Sequence, residues 1–187
     1  MSKFEIIVTL FTIVYGLMLT DLFTSLHKLI RARKIVKWNW LPLLTSWYLF
    51  LLILKNWWAM AISGNSLEEY SILSFLAYGH LMILLYLLVS AVLPDVIPKK
   101  GVDLKEYYFQ HHRYFWGLMA AVGLIPILIS IVPKLIHSSS IGISNIIVFT
   151  INLMLTILLV ISKRYWIHSV LVILFTLITL LEIVSKI

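Results

Sequence analysis

LPLLTSWYLFLLILKNWWAMAI, residues 41–62, runs for 22 residues with a single charge, Lys55. A helix of that length rises about 33 Å, enough to cross a hydrocarbon core roughly 30 Å thick. The same design recurs at Phe4 to Leu29, Ser71 to Leu93, Tyr114 to Val132, Ser144 to Ile161 and Trp166 to Val184. Lipid offers no partner for free backbone amides and carbonyls, so each block must close its hydrogen bonds internally as a helix. The pattern predicts an all-α polytopic bundle of six transmembrane helices, forming one transmembrane domain over residues 1–187.

Composition leads to the same solvent. The chain is 61% hydrophobic and 12% charged, with a mean hydropathy of +1.01, whereas soluble domains are roughly 45–50% apolar and 25% charged. A water-soluble fold is excluded on that balance. The absence of cysteine excludes disulfides, thiolate catalysis and Cys-ligated clusters. The first apolar block starts almost at Met1, but Lys3 is accompanied by Glu5 and no small-x-small cleavage site follows, so it is read as a retained span.

The net charge of +7 could point to nucleic acid, and the placement of the charges decides against it. Of the 15 Lys and Arg residues, 11 lie between spans one and two, three and four, or five and six: Lys28, Arg31, Arg33, Lys34, Lys37, Lys99, Lys100, Lys105, Arg113, Lys163 and Arg164. Three, Lys3, Lys134 and Lys186, lie on the other side. Basic residues in short loops resist translocation, so those three loops are predicted to be cytoplasmic and both termini extracytoplasmic. No nucleic-acid partner is expected.

Helix boundaries are also written in cap chemistry. Ser66 with Glu69, and Asp103 with Glu106, have the spacing of capping boxes. The second starts a helix about ten residues ahead of span four, projecting it into the cytoplasm. The cytoplasmic stretch 94–113 thereby gains a basic, aromatic segment of Lys105, Tyr107, Tyr108, His111, His112 and Arg113. Pro42 falls in the first turn of span two, Pro126 is expected to kink span four three residues after Gly123, and Pro133 to close it.

An ionisable group inside a span costs roughly 2.5–3.5 kcal/mol on insertion scales, which makes each a candidate for function. Lys55 lies about 10 Å below the outer end of span two. It either snorkels outward to Glu5, Glu69 or Glu182, or lines a water-filled cavity. His80, near the middle of span three, is a packing histidine or a proton-sensitive gate. Asp21, Thr24, Ser25 and Lys28 share one face of span one, a stripe that lines a vestibule or seals a helix interface. Asp21 and Lys55 differ in depth by about 10 Å and are not expected to pair. Asn56 and Asn152 add intramembrane amides of the kind that join helices. The tryptophans Trp38, Trp40, Trp57, Trp58 and Trp166, with Tyr165, have the placement of interfacial anchors.

Catalytic constellations are missing from the sequence. His27, His80, His111, His112, His137 and His168 form no H-E-x-x-H or comparable motif, and there is no P-loop and no G-x-S-x-G. No catalytic, cofactor or metal site is predicted, and an enzyme is disfavoured.

The succession Gly16 to Leu26 (GLMLTDLFTSL), the basic turn Arg31 to Trp40, Trp57-Trp58, Leu93-Pro94, Asp103, Tyr107-Tyr108 and Arg113 to Leu118 (RYFWGL) resembles a group of small bacterial membrane proteins without an assigned activity. The resemblance implies a multi-pass protein of the bacterial inner membrane with six spans and transfers no site residues. Six short-looped helices carrying a few intramembrane polar groups suit an oligomeric channel or conduit for a small solute or ion. The alternative is a non-conducting subunit or effector that recruits a cytosolic partner through 94–113. A lipid-handling enzyme ranks third. The expected partners are membrane lipid, further copies of the chain and, in the alternative, a cytosolic protein.

Overall fold

Six helices account for most of residues 3–62, 72–136 and 143–185, the parts of the chain that the computed structural model describes. They are α1 (Lys3–Arg31), α2 (Trp40–Ile62), α3 (Ile72–Val92), α4 (Leu104–Ile136), α5 (Ile143–Ile161) and α6 (Tyr165–Val184). The all-α reading holds, and each helix covers one of the apolar blocks. By length and composition α1, α3 and α6 can each cross a membrane. In α2 the hydropathy is diluted by Lys55, Asn56 and four tryptophans, and the apolar part of α5, Ile147–Ile161, is shorter.

Local chemistry fixes several boundaries. Asn39 starts α2, its Oδ1 accepting the Leu41 amide at 3.0 Å, which satisfies an orphan donor of the first turn. Asp103 Oδ1 accepts the amides of Lys105 and Glu106 at 3.0 and 3.1 Å, so α4 begins where the capping residues predict. Only half of that box forms, because the Glu106 carboxylate accepts from Gln110 at 3.1 Å. Pro133 does not close span four: α4 continues through it to Ile136. A proline removes one amide and crowds one carbonyl, a cost that membrane helices absorb. The Ser66–Glu69 box lies outside the described residues.

Helix α4 packs between α3 and α5, α2 lies along α6, and α1 rests on α3 and α2. The centre is filled by Met18, Leu49, Ile53, Leu85, Leu88 and Trp116.

At one end the connections are tied together. A two-residue parallel pairing joins β1 (Val36–Lys37) to β2 (Val102–Asp103), with Val36 opposite Val102. The chain reaches β2 through a turn closed by the Gly101 amide on the Pro98 carbonyl at 2.8 Å. Gly101 has φ +87°, and a Cβ there would lie 2.1 Å from the Ile35 carbonyl oxygen, so only glycine fits. The start of α6 joins this end through Tyr165, whose hydroxyl lies 3.5 Å from the Asn39 amide and whose ring meets Trp40 edge-on. The three Lys- and Arg-rich connections therefore gather at one end of the bundle.

Candidate functional site

A cavity of about 370 Å³ lies between the α2–α6 and α4–α5 pairs, towards the end opposite the basic connections. Each wall is a helix face read at helical spacing: Tyr48, Leu52, Lys55 and Asn56 from α2; Met119 and Gly123 from α4; Phe149, Asn152 and Thr156 from α5; Phe175, Thr179 and Glu182 from α6. Lys55, Asn56 and Asn152, separate intramembrane polar residues in the sequence, thus share one volume.

The Lys55 ammonium meets the Glu182 carboxylate at 2.5 Å. Of the three counter-charges that the sequence offers, Glu182 is in contact with Lys55, and Glu69 lies outside the described residues. The pair is accessible from the cavity, with 27% of the Lys55 side chain and 49% of the Glu182 side chain exposed. No protein hydrogen bond among the described residues occupies the side-chain amide of Asn56 or Asn152. These two amides line the cavity beside the ion pair.

The cavity floor is aromatic. Phe175 stacks on Tyr48 with centroids 6.0 Å apart and meets Trp116 at 6.2 Å. Beneath it runs a buried hydrogen-bond chain. Trp116 Nε1–H donates to the Tyr108 hydroxyl at 3.0 Å, Tyr108 Oη lies 2.9 Å from His168 Nδ1, and His168 Nε2 lies 2.9 Å from the Ser162 carbonyl. The carbonyl can only accept, so Nε2 carries the imidazole proton; Nδ1 of the neutral ring then accepts from Tyr108. Burial pushes the Tyr108 phenol above its ordinary pKa, against the opposing pull of hydrogen bonds with Trp116 and Thr45, so it stays a protonated donor. Trp116, Tyr108 and His168 are all buried. Sequence reading places Tyr108 on a cytoplasmic loop and leaves Trp116 and His168 unassigned.

The remaining candidates fall elsewhere. On α1, Asp21 accepts from Ser90 at 2.9 Å, Ser25 donates to Asp95 at 2.8 Å, and Lys28 donates to the Asp95 carbonyl at 3.0 Å. This stripe seals the contact of α1 with α3 and the turn after it; Thr24 is exposed beside it. His80 is exposed on α3, with Nδ1 bonded to the Leu76 carbonyl of its own helix at 2.7 Å. Among the described residues it does not line the cavity and makes no side-chain hydrogen bond to another helix.

Within 94–113, Pro94, Leu104, Tyr108 and His112 are buried, and about half of the stretch is exposed. Tyr107 donates to the Ala91 carbonyl at 3.3 Å, and His112 is buried with Nδ1 on the Phe109 carbonyl. Its Nε2 is the buried side-chain polar atom that lacks a partner among the described residues. Lys105 lies 4.7 Å from the centre of the Tyr165 ring, a cation–π contact. His111 and Arg113 are exposed. Among the described residues no three His, Asp or Glu side chains gather to hold a metal.

No protein-family model matches this chain, and no curated protein and no solved structure is similar to it. The functional reading rests on the geometry.

Proposed function

We propose that the protein is a six-span integral membrane protein of the bacterial inner membrane, both termini outside, that admits a small polar solute or ion into the cavity between α2, α4, α5 and α6 and serves as its conduit. One observation carries the reading: in a chain otherwise so apolar, Lys55, Asn56, Asn152 and Glu182 come from three helices to one volume. Intramembrane ionisable groups are costly and are retained where they face a bundle interior or a wet path. The volume falls within the range of small-molecule sites, roughly 300–1,000 Å³.

The orientation is supported by the basic connections at the far end, which puts the cavity towards the outer side. Phe175, Tyr48 and Trp116 lie between the cavity and the inner end, so the conduit is closed there in this conformation and passage requires them to move. The proposal includes assembly of several copies, since six helices are few to surround a solute path and still shield it from lipid. Recruitment of a cytosolic partner through 94–113 has less support, because Tyr108 and His112 are committed to the interior.

Proteoliposomes challenged with glycerol, urea or an amino-acid mixture test the reading by osmotic swelling. Faster swelling than in protein-free vesicles is expected, slowed by the paired substitutions Asn56→Leu and Asn152→Leu. Swelling equal to protein-free vesicles for every osmolyte would contradict it.

A further inference from the structure

We infer that the cavity selects a zwitterion, a small molecule carrying an ammonium and an anionic group a few ångströms apart. The inference rests on the reading of this cavity as a solute site and names the chemistry of the solute. It follows from the charge balance of the walls. Lys55 and Glu182 are one cation and one anion, paired with each other and lining the same space from α2 and α6.

A single-charge ligand fits that balance poorly. A cation drawn to Glu182 must displace Lys55, leaving a partly buried ammonium without its partner, and an anion drawn to Lys55 strands Glu182 in the same way. Either way one charge at the rim of an apolar cavity loses its partner, although the cost is moderated because the pair is partly exposed. A zwitterion replaces one protein ion pair with two, its ammonium on Glu182 and its anionic group on Lys55, and leaves the cavity at zero net charge. An uncharged solute would have no use for the pair, since unoccupied amides already supply donors and acceptors.

The other walls fit a small ligand of this kind. The side chain of Asn152, on α5 across from the pair, offers both a donor and an acceptor. Leu52, Met119 and Phe175 provide apolar surface for a short substituent. Lys55 has a long flexible stem, so its ammonium can follow a ligand without a backbone shift. The same chemistry is found in a free α-amino acid and in the headgroup of an ethanolamine phospholipid.

Thermal unfolding of the purified full chain in an uncharged maltoside detergent tests this, with alanine, a short-chain phosphatidylethanolamine, ethylamine and propionate as probes. At least one of the two zwitterions is expected to raise the unfolding temperature by several degrees, with saturation. Ethylamine and propionate, alone or together, are expected to leave it within about a degree, because their two charges are not tethered. A shift with alanine alone assigns a free solute, and one with the lipid alone assigns a headgroup; either supports the inference. The double variant Lys55→Met with Glu182→Gln removes both charges without stranding either, so it should fold and lose the shift. An equal shift with ethylamine or propionate, or a zwitterion shift that survives in the double variant, would overturn the inference. So would no zwitterion shift in protein whose proteoliposomes still swell, which leaves the conduit reading standing. Proteoliposomes that pass nothing, with the zwitterion shift intact, would overturn transport and leave the binding site.

Discussion

The two halves of this bundle both place polar side chains among apolar helices, and they treat them in opposite ways. At the end that carries the basic connections Trp116, Tyr108 and His168 use their hydrogen-bonding groups on one another and on the Ser162 carbonyl. In the opposite half Lys55 and Glu182 pair at the edge of a cavity that Asn56 and Asn152 also line. A satisfied buried network fixes a packing arrangement. Polar groups that line a cavity add little to the fold, and the proposed conduit would give them a use. Intramembrane polarity alone therefore does not mark a functional site; what each group faces does.

The comparison is broken most severely at Trp116. Trp116→Ala removes a fully buried ring that touches Phe115 and Phe175 and should cost about 3–5 kcal/mol, the range for large aromatic truncations. Unfolding in detergent followed by tryptophan fluorescence or circular dichroism measures it; a loss near zero would mean the inner half is not the rigid part. Tyr108→Phe keeps the ring and deletes the hydroxyl, so that Trp116 N–H and His168 Nδ1 both lose a partner. A loss of about 1–3 kcal/mol is expected, with little change in swelling of proteoliposomes.

Much of this arrangement is legible in the sequence, and the parts that are not have physical reasons. Apolar runs of about 20 residues are long for strands and suit helices, so the six apolar blocks are read directly, and Asp103 announces the start of α4 because an N-cap is a local device. Pro133 misleads because proline's helix-breaking cost is judged without the rest of the span. The pairing of Val36 with Val102 is too short for any pattern to reveal, although Pro98 and Gly101 mark the turn beside it. Trp116 and His168 look like other aromatic residues near a membrane interface, where the sequence does not distinguish a ring facing headgroups from one facing a neighbouring helix. Glu182 is visible as a possible counter-charge to Lys55, but its contact with Lys55 requires α6 to lie along α2.

In the outer half the expected effects on stability are small and those on function large. Lys55→Met together with Glu182→Gln should change stability by about 1 kcal/mol or less, since the pair is partly exposed, while abolishing the swelling that amino acids produce. A loss of stability as large as that of Trp116→Ala would make the pair a structural brace and remove the contrast. The smallest effect is expected at His80, which bonds its own helix and faces outward. His80→Gln should leave unfolding temperature and the pH profile of swelling unchanged; a flattened profile would bring His80 back as a gate.

The chain has no cysteine, so single cysteines introduced into it report accessibility without background. In intact cells treated with a membrane-impermeant charged thiol reagent, Asn152→Cys should be modified from the outside, as should Ile62→Cys at the exposed end of α2. Ser46→Cys, buried in the inner half of the same helix, should stay unmodified. Modification at Ile62→Cys with none at Asn152→Cys would contradict an outward-facing polar cavity.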